Sequence, residues 1–188
     1  GYTPGGWTNM ARQFQQAGAD AIELNVYFLA ASVDDTSAQV EFVKAQRTLD
    51  ARFAQAKVVF DSGDWAEAVK LLEPLREEAP DFRPDEVQQT LFFAHFRIGV
   101  DLLASSGDSL DSIGQAIQSL DRALAIFPTD PAALEERKLA DLYRQAQMSF
   151  NQKDWPQAVL TLKQIQSARQ DYMGGRAVTM LCTAYLNL

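Results

Sequence analysis

The chain has 188 residues, 47% of them apolar and 22% charged, enough to bury one sizeable core or to stack several repeats. A net charge of −8 disfavours a general phosphate-binding surface, and no run of Lys and Arg supplies a local one, so nucleic acid is not an expected partner. The single cysteine, Cys182, cannot form an internal disulfide, which fits a cytoplasmic protein. The longest apolar stretches are interrupted by Glu23 and Asn25, or by His95, Arg97 and Asp101, and none approaches a membrane span. The chain starts at Gly1 without a signal-peptide layout, as expected of a fragment or a processed chain.

Residues 1–41 differ in character from the rest. Gly5-Gly6 marks a turn, Thr8 is placed to cap a short helix through Gln16, and Gly18 ends it. Ala21 to Leu29 is β-branched and aromatic between turn-like residues, which predicts a strand; Ser32 to Asp35 reads as a loop. One strand cannot satisfy its own backbone edges. This αβ leader therefore pairs with a partner or another copy, stays poorly ordered, or refolds as helix.

From Thr36 the pattern is helical almost to the end. Phe42, Val43, Leu49, Phe53, Ala56 and Phe60 fall at helical spacing, and Gly63 ends that helix. Asp64 caps the next one, with Glu67 completing a capping box; Pro74 predicts a bend or loosened turn, and Pro80 closes the helix. Pro84 to Leu103 is a long apolar helix. Ser106-Gly107-Asp108 echoes Ser62-Gly63-Asp64, so another helix starts near Ser109. Its stripe of Ile113, Ala116, Ile117, Leu120, Ala123, Leu124 and Phe127 predicts a longer helix than its counterpart in the first copy, stopped by Pro128 to Pro131. Asp154 with Gln157 repeats the capping pair, Pro156 sits harmlessly in the first turn, and a last helix runs from Arg176 to Leu188. The count is three hairpins plus one closing helix.

The stretch from Phe60 to Leu72 occurs twice. Phe60, Asp64-Trp65, Ala68-Val69 and Leu72 return as Phe150, Asp154-Trp155, Ala158-Val159 and Leu162. Leu49, Phe53, Gln55 and Ala56 upstream match Leu139, Tyr143, Gln145 and Ala146. Asp81-Phe82, Leu91 and Ala94 downstream match Asp171-Tyr172, Leu181 and Ala184. One offset kept over so many positions is an internal repeat.

Gly63-Asp64-Trp65 with Ala68, Leu72, Leu75 and Pro80 resembles the second-helix half of the tetratricopeptide repeat. Asp154-Trp155, Ala158, Leu162 and Ile165 give another fit, with Gln170 in place of the proline; Ala116, Leu120, Ala123 and Pro128 give a third. Ala56 and Ala146 take the family's Gly place, while Arg52 and Leu142 stand where its opening aromatic is usual. The resemblance covers residues 42–188. It implies an all-α helical-hairpin solenoid that binds a peptide or a partner's helix in a concave groove made by the first helices. The groove positions carried across are Phe53, Lys57, Phe60 and Asp61 in the first hairpin and Tyr143, Gln147, Phe150 and Asn151 in the third. Trp65 and Trp155 fall at core positions of the family. The Lys and Asn pattern of the subclass that grips carboxy-terminal peptides is absent, since Lys57 stands where the Asn belongs.

The leader has a separate resemblance. Gly5-Gly6-Trp7, Ala17 to Asn25 and Tyr27 look like one αβ unit of the dihydroorotate dehydrogenase family, a flavin-dependent β/α barrel. The resemblance would bring Asn25 to FMN, but Phe28 stands where many members carry a catalytic Cys or Ser. A barrel needs eight strands to close, so no cofactor is expected here, and the unit is a gene fusion, a remnant or an artificial join near Glu41.

Other chemistry has little to stand on. His95 is the only histidine and lies in an apolar run, which suits a core or groove position better than a general base. One His and one Cys are too few for a zinc site, the carboxylates have no calcium-loop spacing, and no P-loop follows Gly5-Gly6. The expectation is an interaction or scaffold module over 42–188, not an enzyme, bearing no metal, behind a leader over 1–41. The alternative is a fragment of an FMN-dependent oxidoreductase fused to helices. Leu181, Leu186 and Leu188 on the last helix also suit self-association through the solenoid ends.

Overall fold

The computed structural model describes residues 36–105 and 109–188, among which stand seven α-helices, one 3-10 turn and no strand. They are α1 (Thr36–Asp61), α2 (Trp65–Glu78), α3 (Pro84–Ser105), α4 (Leu110–Ile126), α5 (Pro131–Asn151), α6 (Trp155–Ala168), the 3-10 turn (Tyr172–Gly175) and α7 (Arg176–Leu186). The strand expected over 21–29 and the short helix before it lie outside the described residues. The chain divides into two compact units, Gly1–Ala51 and Arg52–Leu188, and α1 runs from one into the other. The described part of the first unit is the start of α1, which carries an exposed Lys44–Glu41 ion pair at 2.9 Å.

In the second unit the helices pack in consecutive pairs, giving three hairpins and a closing helix in the manner of a helical-hairpin solenoid. α2 also packs on α3, α4 on α5 and α6 on α7, so each hairpin buries its apolar stripe against the next. Stripes buried in this way are covered only when the hairpins stack. The interior runs through Leu120, Leu139, Tyr143, Leu162, Ile165 and Leu181, all buried.

The sequence repeat is a structural repeat. Ala56, Ala68, Leu72 and Leu75 are fully buried, and so are Ala146, Ala158, Leu162 and Ile165. Phe53 meets Phe82 edge-on at 6.2 Å between ring centroids, and Tyr143 meets Tyr172 in the same way at 6.1 Å. Trp65 packs on Phe60 at 4.9 Å and Trp155 on Phe150 at 5.3 Å. Both tryptophans are half-buried, and Trp65 further ties its hairpin to α3 by donating Nε1–H to Asp101 Oδ2 at 3.0 Å.

The caps form in part as expected. Asp64 and Asp154 accept from the backbone N–H of Glu67 and Gln157. The reciprocal half of the capping box does not form, because Glu67 pairs with Lys70 at 2.8 Å and the Gln157 amide turns to Thr161. Pro74 stands inside α2 without ending it. Gly99 brings α3 and α4 together: a Cβ there would lie 2.7 Å from Leu120 Cγ and 3.1 Å from the carbonyl oxygen of Ala116.

The turn after α1 is a Schellman motif, with Asp64 N–H donating to the Val59 carbonyl and Gly63 N–H to that of Phe60. Gly63 takes φ +86 there. The turn after α5 repeats both bonds, but its left-handed residue is Lys153 at φ +60. A Cβ in that region is costly. Lys153→Gly is therefore expected to stabilise the protein by about 1 kcal/mol, read as a higher urea midpoint at unchanged slope. A lower midpoint would mean that the lysine side chain holds the turn.

Candidate functional site

The eight residues expected to line a groove differ in exposure. Phe53 is buried against Phe82, with the Arg83 guanidinium over both rings at 5.7 and 5.6 Å. Tyr143 is fully buried and Gln147 nearly so, its amide donating to Asn151 Oδ1 at 3.4 Å. Phe60 and Phe150 are half-buried against the tryptophans, and Lys57 lies 4.8 Å over the Phe60 ring while pairing with Asp61 at 3.2 Å. Lys57, Asp61 and Asn151 are left exposed. The physical reason is close helix approach: the side of a first helix that faces the next hairpin takes Phe53, Tyr143 and Gln147 into the core. Asn25 lies outside the described residues.

A cleft of about 610 Å³ opens elsewhere, where the end of α3, the start of α5 and the connection from α6 to α7 converge. Glu136, in the second turn of α5, is buried and accepts from Arg169 Nη1 at 2.6 Å, while Arg169 Nη2 donates to Glu135 at 2.7 Å. Partial burial works against the charge on Arg169, but the two carboxylates outweigh it and hold the guanidinium above its usual range. Tyr172 is buried beside Glu136, and burial first, then that negative charge, pushes its phenol well up. It stays protonated and can act only as a hydrogen-bonding hydroxyl at neutral pH.

Arg176 closes the end of α3. Its Nη2 donates to the carbonyls of Leu103 and Ala104 at 3.2 and 3.0 Å, and its Nε to that of Met173 at 3.0 Å. A cation at these orphan carbonyls also complements the helix dipole. Lining charges balance, with Glu136 and Asp171 against Arg169 and Arg176. Met173 sits in the left-handed region at φ +57, but its counterpart Arg83 does the same at φ +41, so that conformation belongs to the repeated connection and not to a ligand.

No sequence motif singled out Arg169, Tyr172 or Arg176. The available signal was local: Gly174-Gly175 stand where the first copy has Pro84-Asp85. A Cβ at Gly174 would meet nothing within 4 Å.

His95 is a core residue, its Nε2 3.4 Å from Glu73 Oε1. Burial lowers its pKa, which Arg122 reinforces and Glu73 opposes, so it is held neutral. Cys182 is exposed on α7. Among the described residues no cluster of His, Cys, Asp and Glu is arranged to hold a metal ion, and no helix is long and apolar enough to cross a membrane. No protein-family model, curated protein or solved structure matches the chain.

Proposed function

We propose that the helical repeat of this chain is a protein-interaction module of tetratricopeptide type, and that it holds a segment of a partner against its first helices. The observation that carries this reading is the cleft of about 610 Å³ shared by α3, α5 and the start of α7. Its walls come from two successive hairpins and the closing helix, which is how a stacked-hairpin protein builds a binding surface from elements that are each too narrow to make one. Its lining is charge-balanced and rich in hydrogen-bonding groups, Arg169, Arg176, Glu136 and Tyr172, against apolar Val100 and Leu103. Such a surface suits a peptide main chain with mixed side chains better than a single ion.

The test is a random-peptide display selection on the full chain, counter-screened on Ala104→Arg. Ala104 is exposed and lines the cleft, so the arginine plugs it without entering the core. Enriched peptides are expected to lose binding to the plugged variant by about tenfold or more. Peptides that bind both proteins equally, or no enrichment at all, would remove the reading.

A further inference from the structure

The two matched hairpins carry an internal comparison. In the first, Arg52 of α1 reaches Glu78 of α2 at 2.6 Å, a contact that ties the two helices together across their outer groove. Elsewhere on α2, Lys70 pairs with Glu67 and Glu73 lies against His95. In the third hairpin, the same offset puts Leu142 in place of Arg52, Ala168 in place of Glu78 and Leu160 in place of Lys70. The ion pair is gone, and a groove of about 580 Å³ stands open between α5 and α6. Leu139 and Leu142 form its floor with Leu160, which is 55% exposed.

The rim changes in the same direction. Thr48 and Glu73 of the first hairpin become Lys138 and Lys163, and both lysines line the groove. Neither has an ion pair among the described residues, although the chain as a whole carries a net charge of −8. The acid on this rim, Glu135, is already held by Arg169 at 2.7 Å. An apolar floor between two unsatisfied cations is the complement of a helix with leucines on one face and carboxylates beside them.

We propose that the α5–α6 groove docks an acidic amphipathic helix of a partner protein, its apolar residues on Leu142 and Leu160 and its carboxylates at Lys138 and Lys163. This surface is separate from the cleft described above, and the proposal does not depend on that cleft binding anything. The first hairpin, with Arg52 paired to Glu78 and with Thr48 and Glu73 in place of the two lysines, is predicted not to dock it.

The probe is a fluorescein-labelled helical peptide with leucines at helical spacing flanked by glutamates, titrated into the full chain and read by anisotropy. Two controls replace its glutamates by lysines or its leucines by serines. The acidic peptide is expected to bind, both controls to fail, and added salt to weaken the complex. Leu160→Glu should raise Kd by about tenfold or more, since it places a carboxylate where an apolar contact was. Lys138→Glu with Lys163→Glu should abolish binding of the acidic peptide and admit the lysine peptide, and Ala104→Arg should change nothing. All these positions are exposed, and circular dichroism verifies that helicity is kept. Equal binding of the lysine peptide to the unaltered chain, indifference to Leu160→Glu, or no binding of the acidic peptide would each overturn the proposal. So would a dimer that Leu160→Glu dissociates while the peptide fails to bind, because the occupant would then be a second copy.

Discussion

Gly99→Val is expected to destabilise the protein by about 3 kcal/mol, the upper end of what overpacking ordinarily costs. A Cβ at residue 99 would stand 2.7 Å from Leu120 Cγ and 2.9 Å from Leu120 Cδ2, with the Ala116 carbonyl oxygen at 3.1 Å. The contact is with the branch point of a fully buried leucine and with backbone, neither of which has room to withdraw. α3 and α4 would have to separate, and with them the buried residues on both sides of the middle hairpin. Urea unfolding gives the size of the effect. The mechanism is tested by combining Gly99→Val with Leu120→Ala: removing the obstructing side chain should make the double variant clearly more stable than the sum of the two single losses predicts. Simple additivity would show that the helices were not in contact at this point.

Tyr143→Ala is expected to cost about 3–5 kcal/mol, the range for deleting a buried aromatic side chain. In a chain of this size that lowers Tm by about 6–20 °C. Tyr143 is among the largest fully buried side chains, and its ring meets Tyr172 edge-on under the cleft. The substitution would therefore leave a cavity between α5 and the connection to α7. It would also leave Tyr172 without the ring that holds it beside Glu136. Differential scanning calorimetry decides the matter. A change of less than about 1 kcal/mol would return Tyr143 to the exposed groove position that its place in the repeat suggests, since surface truncations stay near that size.

Most helix boundaries were legible because they depend on local chemistry. Asp64, Ser109 and Asp154 cap the helices they precede, Gly63 takes its left-handed turn, and the proline-bounded starts at Pro84 and Pro131 fall where the residues put them. The repeat was legible because each copy must present the same small and large residues to its neighbours. The candidate site was not. Helical spacing marks Phe53, Phe60, Tyr143 and Phe150 as one recurring face. It does not say whether that face meets water or the next hairpin, and in a stacked protein a first helix is covered on more than one side.

The sequence by itself determined the all-α class, the three hairpins with a closing helix, and the equivalence of the first and third hairpins. These follow from hydrophobic periodicity and capping, which act within a few residues of each other. Only the tertiary structure decided which polar groups share a site. Arg169 meets Glu136 across 33 positions, and Arg176 reaches the Leu103 carbonyl across 73. It also decided that Gly99 has no room for a Cβ against Leu120, and that a groove stands open between α5 and α6 where the Arg52–Glu78 contact has no counterpart. Such pairings depend on how far one helix slides and rotates on the next, and that is set by the summed fit of many side chains, not by any local pattern.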